Sequence, residues 1–417
     1  MRQMQLNFGG SKRPRGKFML NEDNTVLCYY SPGAVLSTKI AAFDLDDTLI
    51  SALGKSAFAK RPEDHEFIGS SSKLQRLVAD GYTIVIYSNQ RGVSTGRTTL
   101  DFLKKKIRFV SSFFPPFIGF FALEDCYYRK SGPGMHYLYM KNFSALGESA
   151  PSRRHMSLEL DDSLFADEAV LMADPGSFYV GDAAGRSAAK GKKKDHAITD
   201  LLFALNAKLE FYTPEQYWGR HDDRVIAEPT FNPSLALQAS DVFEGMNALP
   251  LPDFESNPTL FVMIAVAASG KSTVCEYLEE KGVVRVSRDI LGSMEKCEEQ
   301  AESVLMCGKS AVIDNTNVDI ASRSQWINLA KRLGVPVVGL RMSVAQGMSL
   351  HLNRMRKKLQ SFGRLGDKYN AVPTFVIIKQ SNAMEMPTRK EGFNSVIQVP
   401  LKLSFEDEVH ARLFLEY

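Results

Sequence analysis

Short apolar runs bounded by turn residues alternate with longer stretches of helical spacing through most of the chain. Ile40 to Phe43 is the first clear strand, and it leads into Asp44-Leu-Asp46-Asp-Thr48. Lys73 to Ala79 is amphipathic and stops at Asp80-Gly81, a helix end. Tyr82 to Tyr87 reads as a buried strand ending in Ser88-Asn89-Gln90, and Phe117 to Leu123 as a third. A fourth, Ser177 to Val180, ends at Gly181-Asp182. Strands alternating with helices predict a parallel α/β sheet over 37–215.

The alternation then lapses. Residues 216–258 carry Pro229, Pro233, Pro250, Pro252 and Pro258 without sustained periodicity, and are expected to be a linker with one short helix near Ser234 to Ser240. It restarts with Thr259 to Val266, which runs into Gly270-Lys271-Ser272-Thr273 and a helical Val274 to Glu280. Ser310 to Ile313 is another strand, 349–358 a basic helix, and Ser395 onward a closing or edge strand because of Pro400. A second α/β domain over 259–417 follows. Residues 1–36 lack periodic apolar positions and are expected to form a basic, flexible tail, and the Ser-, Glu- and Asp-rich 145–170 an inserted surface loop.

Composition changes this picture little. In 417 residues, 44% hydrophobic and 24% charged content describe a soluble globular protein. A net charge of +3 permits a nucleic-acid partner without arguing for one. Five cysteines without CxxC spacing read as reduced intracellular thiols, not a disulfide framework or a zinc site. No apolar run approaches the ~20 residues of a membrane span, and the polar start carries no signal peptide. The cluster from Ser11 to Lys17 is a nuclear-import signal, a phosphate-contacting arm or a solvated tail.

The chemistry sits at strand ends. Asp44 and Asp46, two positions apart, repel each other, and a Mg²⁺ that both ligate resolves the repulsion. One carboxylate can then attack a phosphoryl group while its neighbour handles the proton. Asp182 stands where a third metal-binding carboxylate is needed. Ser88 and Asn89 can hydrogen-bond a phosphate, and Lys130, with Arg129 beside it, offsets charge on the transferring group. In the second half, strand, Gly-Lys-Ser and helix form a phosphate-binding loop. Ser269 to Thr273 are its ATP-binding residues, with Lys271 supplying charge and Ser272 a Mg²⁺ ligand. Asp289 can accept a proton from an attacking hydroxyl, and Arg354 can act from a lid. Asp314, Asn317 and Arg323 are candidate substrate contacts on and after a second nucleotide-site strand. Ala265 and Ala268 stand where glycines often do, and where positive φ is needed alanine costs roughly 1–2 kcal/mol.

Taken together, these residues resemble the eukaryotic polynucleotide kinase 3′-phosphatase family. The resemblance rests on Phe43-Asp-Leu-Asp-Asp-Thr-Leu49, Tyr87-Ser-Asn-Gln90, Tyr128-Arg-Lys130, Gly181-Asp-Ala-Ala-Gly-Arg186, Gly270-Lys-Ser-Thr273, Ser287-Arg-Asp289 and Ile313-Asp-Asn-Thr-Asn317. It implies a haloacid-dehalogenase-like phosphatase followed by a P-loop kinase. It also implies a repair enzyme that removes 3′-phosphates and phosphorylates 5′-hydroxyls at DNA breaks, leaving ends a ligase can join. Asp44 is then the nucleophile that forms an aspartyl-phosphate, and Asp46 the general acid/base. The resemblance further implies a nuclear protein, with an organellar pool open, and a monomer. It places Mg²⁺ on Asp44, Asp182 and Asp46 through its backbone. The vertebrate members' forkhead-associated domain is missing from the pattern. Two other readings compete: a phosphatase whose P-loop half only binds DNA or nucleotide, motivated by the two alanines, and a metabolite kinase–phosphatase.

Overall fold

A computed structural model describes residues 16–53, 59–147, 156–161, 171–189, 191–240, 246–365 and 371–417. The chain divides into two compact units, Met1–Pro229 with Tyr417, and Thr230–Glu416.

In the first unit the strands in chain order are β1 (Lys17–Leu20), β2 (Val26–Tyr30), β3 (Ile40–Phe43), β4 (Ile50–Ala52), β5 (His65–Phe67), β6 (Thr83–Asn89), β7 (Phe117–Ala122), β8 (Phe178–Val180) and β9 (Glu210–Tyr212). Seven of them make one sheet in the order β1-β2-β7-β6-β3-β8-β9, while β4 and β5 form a separate antiparallel ribbon. From β7 to β9 every pairing is parallel. Successive side chains of a strand face opposite ways, and both faces are dry. Ile40 and Ala42 enter one core with Val85 and Tyr87, whereas Ala41 and Phe43 enter the other with Ile84 and Ile86. The strands therefore read as unbroken apolar runs.

The expected flexible tail over 1–36 is corrected from Lys17 onward. β1 and β2 pair antiparallel, and β2 continues the sheet against β7, with all five of its residues buried. Val26 to Tyr30 shows no alternation because both its faces are covered. The residues from Ser11 to Arg15 in the basic cluster lie outside the described residues. The expected loop over 145–170 is not loose where it is described. Leu158 joins the core, and the Tyr128 hydroxyl donates to its carbonyl at 3.3 Å.

The second unit has a five-stranded, all-parallel sheet. Its strands are β10 (Leu260–Ile264), β11 (Val284–Val286), β12 (Ala311–Ile313), β13 (Val337–Met342) and β14 (Ser395–Val399), in the order β11-β12-β10-β13-β14. The bare linker expected over 216–258 is corrected too. Besides the expected helix, at Pro233–Ser240, it holds the end of a capped helix Pro214–Trp218 and a turn Met246–Ala248. Met246, Leu249, Leu251 and Phe254 pack on the second unit's core.

Candidate active sites

In an open parallel sheet, ligands bind beyond the carboxyl ends of the strands. In the first unit those ends carry Asp44 after β3, Ser88 within β6, Lys130 after β7 and Asp182 after β8. They converge on a cleft of about 120 Å³ whose wall also includes Asp200. The Asp44 N–H donates to the Val180 carbonyl at 2.8 Å, which fixes where the chain leaves β3. Oxygens of Asp44, Asp182 and Asp200 lie within 4.8 Å of one another. Asp200 comes from the first turn of helix Thr199–Asn206. Its approach requires Gly181, where a Cβ would sit 2.5 Å from the Asp200 side chain.

Lys130 is buried among these acids. Its ammonium donates to Asp44 at 2.5 Å and to the Tyr179 hydroxyl at 2.8 Å, and forms an ion pair with Asp200 at 2.7 Å. Burial opposes its charge, but Asp200 and Asp44 outweigh that and raise its pKa. Burial also lifts the Asp44 carboxyl, to about 7; Lys130 pulls it down while Asp200 and Asp46 add to the rise. Asp182 is pushed up to about 9 by burial and by Asp200, Asp44 and Asp47. Three crowded oxygen donors, of which Asp44 and Asp182 resist ionisation, are a donor set for a hard dication, which would neutralise their charge.

Asp46 is placed apart from that trio. Its carboxylate accepts from Lys106 at 2.5 Å and Gln90 at 2.8 Å, so the expected metal ligation by its side chain is corrected. Burial would raise its pKa, but the Lys106 charge and both hydrogen bonds hold it below the usual range. Lys106 sits on helix Leu100–Ser111, capped by Thr99, with only 7% of its side chain exposed. Gln90 also donates to Ser88 Oγ at 2.9 Å. Asn89, expected on phosphate, is instead a brace. Its carboxamide donates to the Lys130 carbonyl at 3.0 Å and accepts the Lys130 N–H at 2.9 Å. Arg129 is half-buried beside Lys130 with one guanidinium nitrogen unpartnered, and burial lowers its pKa.

In the second unit the loop after β10 leads into helix Lys271–Glu280. Lys271 forms an ion pair with Asp314, which Arg285 also grips through Nε at 2.8 Å and through Nη2. Burial would raise the Asp314 carboxyl, but Lys271 and Arg285 hold it low. Gly270 and Ala268 both have positive φ, 87° and 58°, so the left-handed strain expected of an alanine falls on Ala268 alone. Ala265 is buried at the strand end, its N–H donating to the Thr316 carbonyl at 2.9 Å. The Ser269 hydroxyl donates to the Val266 carbonyl at 2.7 Å, while Ser272 and Thr273 open the helix. Asp289 is exposed on the short helix Arg288–Leu291. Arg354, on helix Gln346–Ser361, has its Nε buried without a partner.

Two expected substrate contacts are structural. Arg323 is fully buried, paired with Glu391 at 2.7 Å and donating to the carbonyls of Asn317, Val318 and Glu385. The Asn317 amide donates to the Met263 carbonyl at 2.7 Å and its oxygen accepts from Trp326 at 3.3 Å. Neither side chain can face a ligand. Asp200, Lys106, Tyr179 and Arg285 went unnoticed in the sequence. Asp200 had one available signal, an acid in the first turn of an otherwise apolar helix.

Residues 39–218 match the family description Polynucleotide kinase 3 phosphatase, and residues 260–387 match an AAA domain. A bifunctional polynucleotide phosphatase/kinase of Schizosaccharomyces pombe is 30% identical over 369 residues, covering 87% of this chain and 80% of that protein. The polynucleotide 3′-phosphatase ZDP of Arabidopsis thaliana is 29% identical over 201 residues, covering 44% of this chain and 24% of that one. An uncharacterised 20.8 kDa protein of Autographa californica nuclear polyhedrosis virus is 35% identical over 181 residues, 43% of this chain and 85% of its own length. With its acid cleft in one unit and its phosphate-binding loop in the other, the chain belongs to the bifunctional polynucleotide phosphatase/kinase family.

Proposed function

We propose that the chain heals DNA ends, removing 3′-phosphates with its first unit and phosphorylating 5′-hydroxyls from ATP with its second. The observation that carries this is the convergence of Asp44, Asp182 and Asp200 around Lys130 in one unit of a chain whose other unit ties Lys271 to Asp314.

In the phosphatase reaction Asp44 attacks phosphorus, the bond to the 3′-oxygen breaks, and an aspartyl-phosphate forms on Asp44. Asp46 gives a proton to the departing oxygen and takes one from the water that hydrolyses the intermediate. Lys106 and Gln90 favour its charged form, which suits the second role and makes the first the harder. Mg²⁺ held by Asp44, Asp182 and Asp200 would supply charge neutralisation. Ser88, at the cleft wall, offers a hydroxyl to a phosphoryl oxygen.

In the kinase reaction Lys271 leaves Asp314 for the ATP phosphates, and Ser272 with Asp314 would hold Mg²⁺. Asp289 takes the proton of the 5′-hydroxyl as its oxygen attacks the γ-phosphorus and ADP departs. Arg354, charged and short of partners, meets the transferring group.

The test is a gapped duplex with one 3′-phosphate and one 5′-hydroxyl, given Mg²⁺ and ATP. Conversion of both ends is expected, with Asp44→Asn and Lys271→Ala each silencing only its own end. A second reading is favoured by the strain at Ala268: the P-loop unit binds without transferring phosphate. Conversion of the 3′ end alone would select it. Nuclear placement beside a ligase completes the proposal, and a tagged chain excluded from nuclei would refute that part.

A further inference from the structure

We propose that Tyr179 is a positioning residue of the phosphatase cleft, its hydroxyl anchoring the Lys130 ammonium so that one N–H can pass from Asp44 to the phosphoryl group. The inference rests on the phosphatase reading above.

The Lys130 ammonium is held by three neighbours: it donates to Asp44 and to the Tyr179 hydroxyl, and pairs with the Asp200 carboxylate at 2.7 Å. Directions are fixed by chemistry. Lysine can only donate, so the Tyr179 oxygen accepts from it. That leaves the Tyr179 O–H free to donate, and it donates to Asp200 at 2.8 Å. Lys130, Tyr179 and Asp200 thus close a ring of three contacts that lies wholly in the wall. Only the fourth contact, to Asp44, faces the reaction.

The ring has little freedom. Tyr179 is fully buried, and its aromatic ring is flanked by Phe203 at 4.9 Å and Tyr87 at 6.5 Å between centroids. Its strand, β8, delivers Asp182 three residues later, so one short segment sets both the anchor and a candidate metal ligand. Asp200 is pinned in turn by the Ala183 N–H at 3.0 Å.

These contacts assign a sequence of events. As an Asp44 oxygen bonds to phosphorus, the phosphorus–oxygen bond to the 3′-carbon side breaks and its electron pair goes to the leaving oxygen. The Asp44 contact of Lys130 is given up, and the freed N–H donates to a non-bridging phosphoryl oxygen. Tyr179 and Asp200 keep the ammonium in place during the exchange. Without the hydroxyl, one N–H loses its acceptor in a dry wall. It then turns towards the acids of the cleft and tips the ammonium away from the phosphoryl position.

The test is full-length Tyr179→Phe, which removes one oxygen and keeps the ring. On the gapped duplex, kcat for 3′-phosphate release should fall about 10- to 100-fold, the size expected for a misdirected charge-assisted hydrogen bond. KM for the 3′-phosphate end should change less than about threefold, as for an interaction made mainly in the transition state. By calorimetry in Mg²⁺, inorganic phosphate, which never reaches the transition state, should likewise bind within about threefold of wild type. The 5′-kinase rate of the same molecules serves as the folding control and should be unchanged. A phosphatase kcat within twofold of wild type, or a KM that rises as far as kcat falls, would overturn the proposal. So would equal losses in both activities together with a lower melting temperature, which would mark a purely structural role. A wild-type chain that releases no 3′-phosphate would refute the phosphatase reading itself, and this inference with it.

Discussion

Replacing Asp200 by asparagine tests whether the third acid of the cleft belongs to the metal set. The change is nearly isosteric, so its effect is electrostatic. At the 4.8 Å that bounds these separations, with an effective dielectric constant near 20, each contact between charged carboxylates costs about 3.5 kcal/mol, and Asp200 makes two, with Asp44 and Asp182. Against this stands its attraction to Lys130 at 2.7 Å, about 6 kcal/mol on the same scale. Above about pH 9, where Asp44 and Asp182 are ionised without metal, these terms nearly cancel, so the metal-free variant should there unfold within about 2 kcal/mol of wild type. Mg²⁺ binding has no such cancellation. Losing one charged donor of three should cost roughly 1.5–3 kcal/mol, or about 10- to 100-fold in affinity. Urea denaturation without Mg²⁺, followed by a Mg²⁺ titration of melting temperature and of 3′-phosphate release, reads both quantities. Half-saturation within threefold of wild type would refute the assignment of Asp200 to the metal set. A metal-free variant destabilised by more than about 4 kcal/mol would show that the cleft's acids are not in balance.

Lys106→Met should raise the Asp46 pKa, because the charge that holds it down is gone, and should move the acid limb of the phosphatase pH profile upward. An unmoved limb would exclude Asp46 as the titrating base. Arg323→Met should destabilise the second unit by about 3 kcal/mol, since it leaves Glu391 and three carbonyls without their donor. Kinase KM for DNA, measured well below the melting transition, should stay unchanged. His136 is buried as the neutral imidazole, with its pKa lowered by burial to about 4. The unfolded chain therefore binds more protons below pH 6.5, and stability is lost as pH falls from there towards 4. The loss is about 2 kcal/mol by pH 5, and His136→Phe should flatten that part of the melting curve.

The α/β character, the strand ends and the phosphate-binding loop were legible because buried parallel strands leave continuous apolar runs and because chemistry collects at their carboxyl ends. Asp44, Lys130, Asp182 and Lys271 were found this way. Asp200 was not, because it reaches the cleft from a helix eighteen positions beyond Asp182, a juxtaposition that only the Gly181 approach creates. Arg323 and Asn317 misled for the opposite reason. Their polarity suggested a ligand, but both side chains are buried and turned to backbone carbonyls, with Glu391 on Arg323 and Trp326 on Asn317. Asn89 lay at the right strand end with its amide turned to the neighbouring loop. Sequence position locates a side chain on an element; which way it spends its hydrogen bonds depends on packing.

The sheet order of the first unit also governs when its chemistry can exist. β3, which carries the nucleophile, pairs with β6 on one side and with β8 on the other, Ala41 opposite Phe178. β2 likewise waits for β7, Val26 opposite Ala122. These are contacts of long sequence separation, whose loop-closure entropy must be met before any pairing rewards it. During synthesis the nucleophile strand therefore keeps one edge unpaired until β8 has left the ribosome, and its cleft lacks an acid until Asp200 has followed. A chain truncated ahead of β8 would hold Asp44, Asp46 and Lys130 and still have no cleft. The first unit's sheet can close before much of the P-loop sheet has been translated.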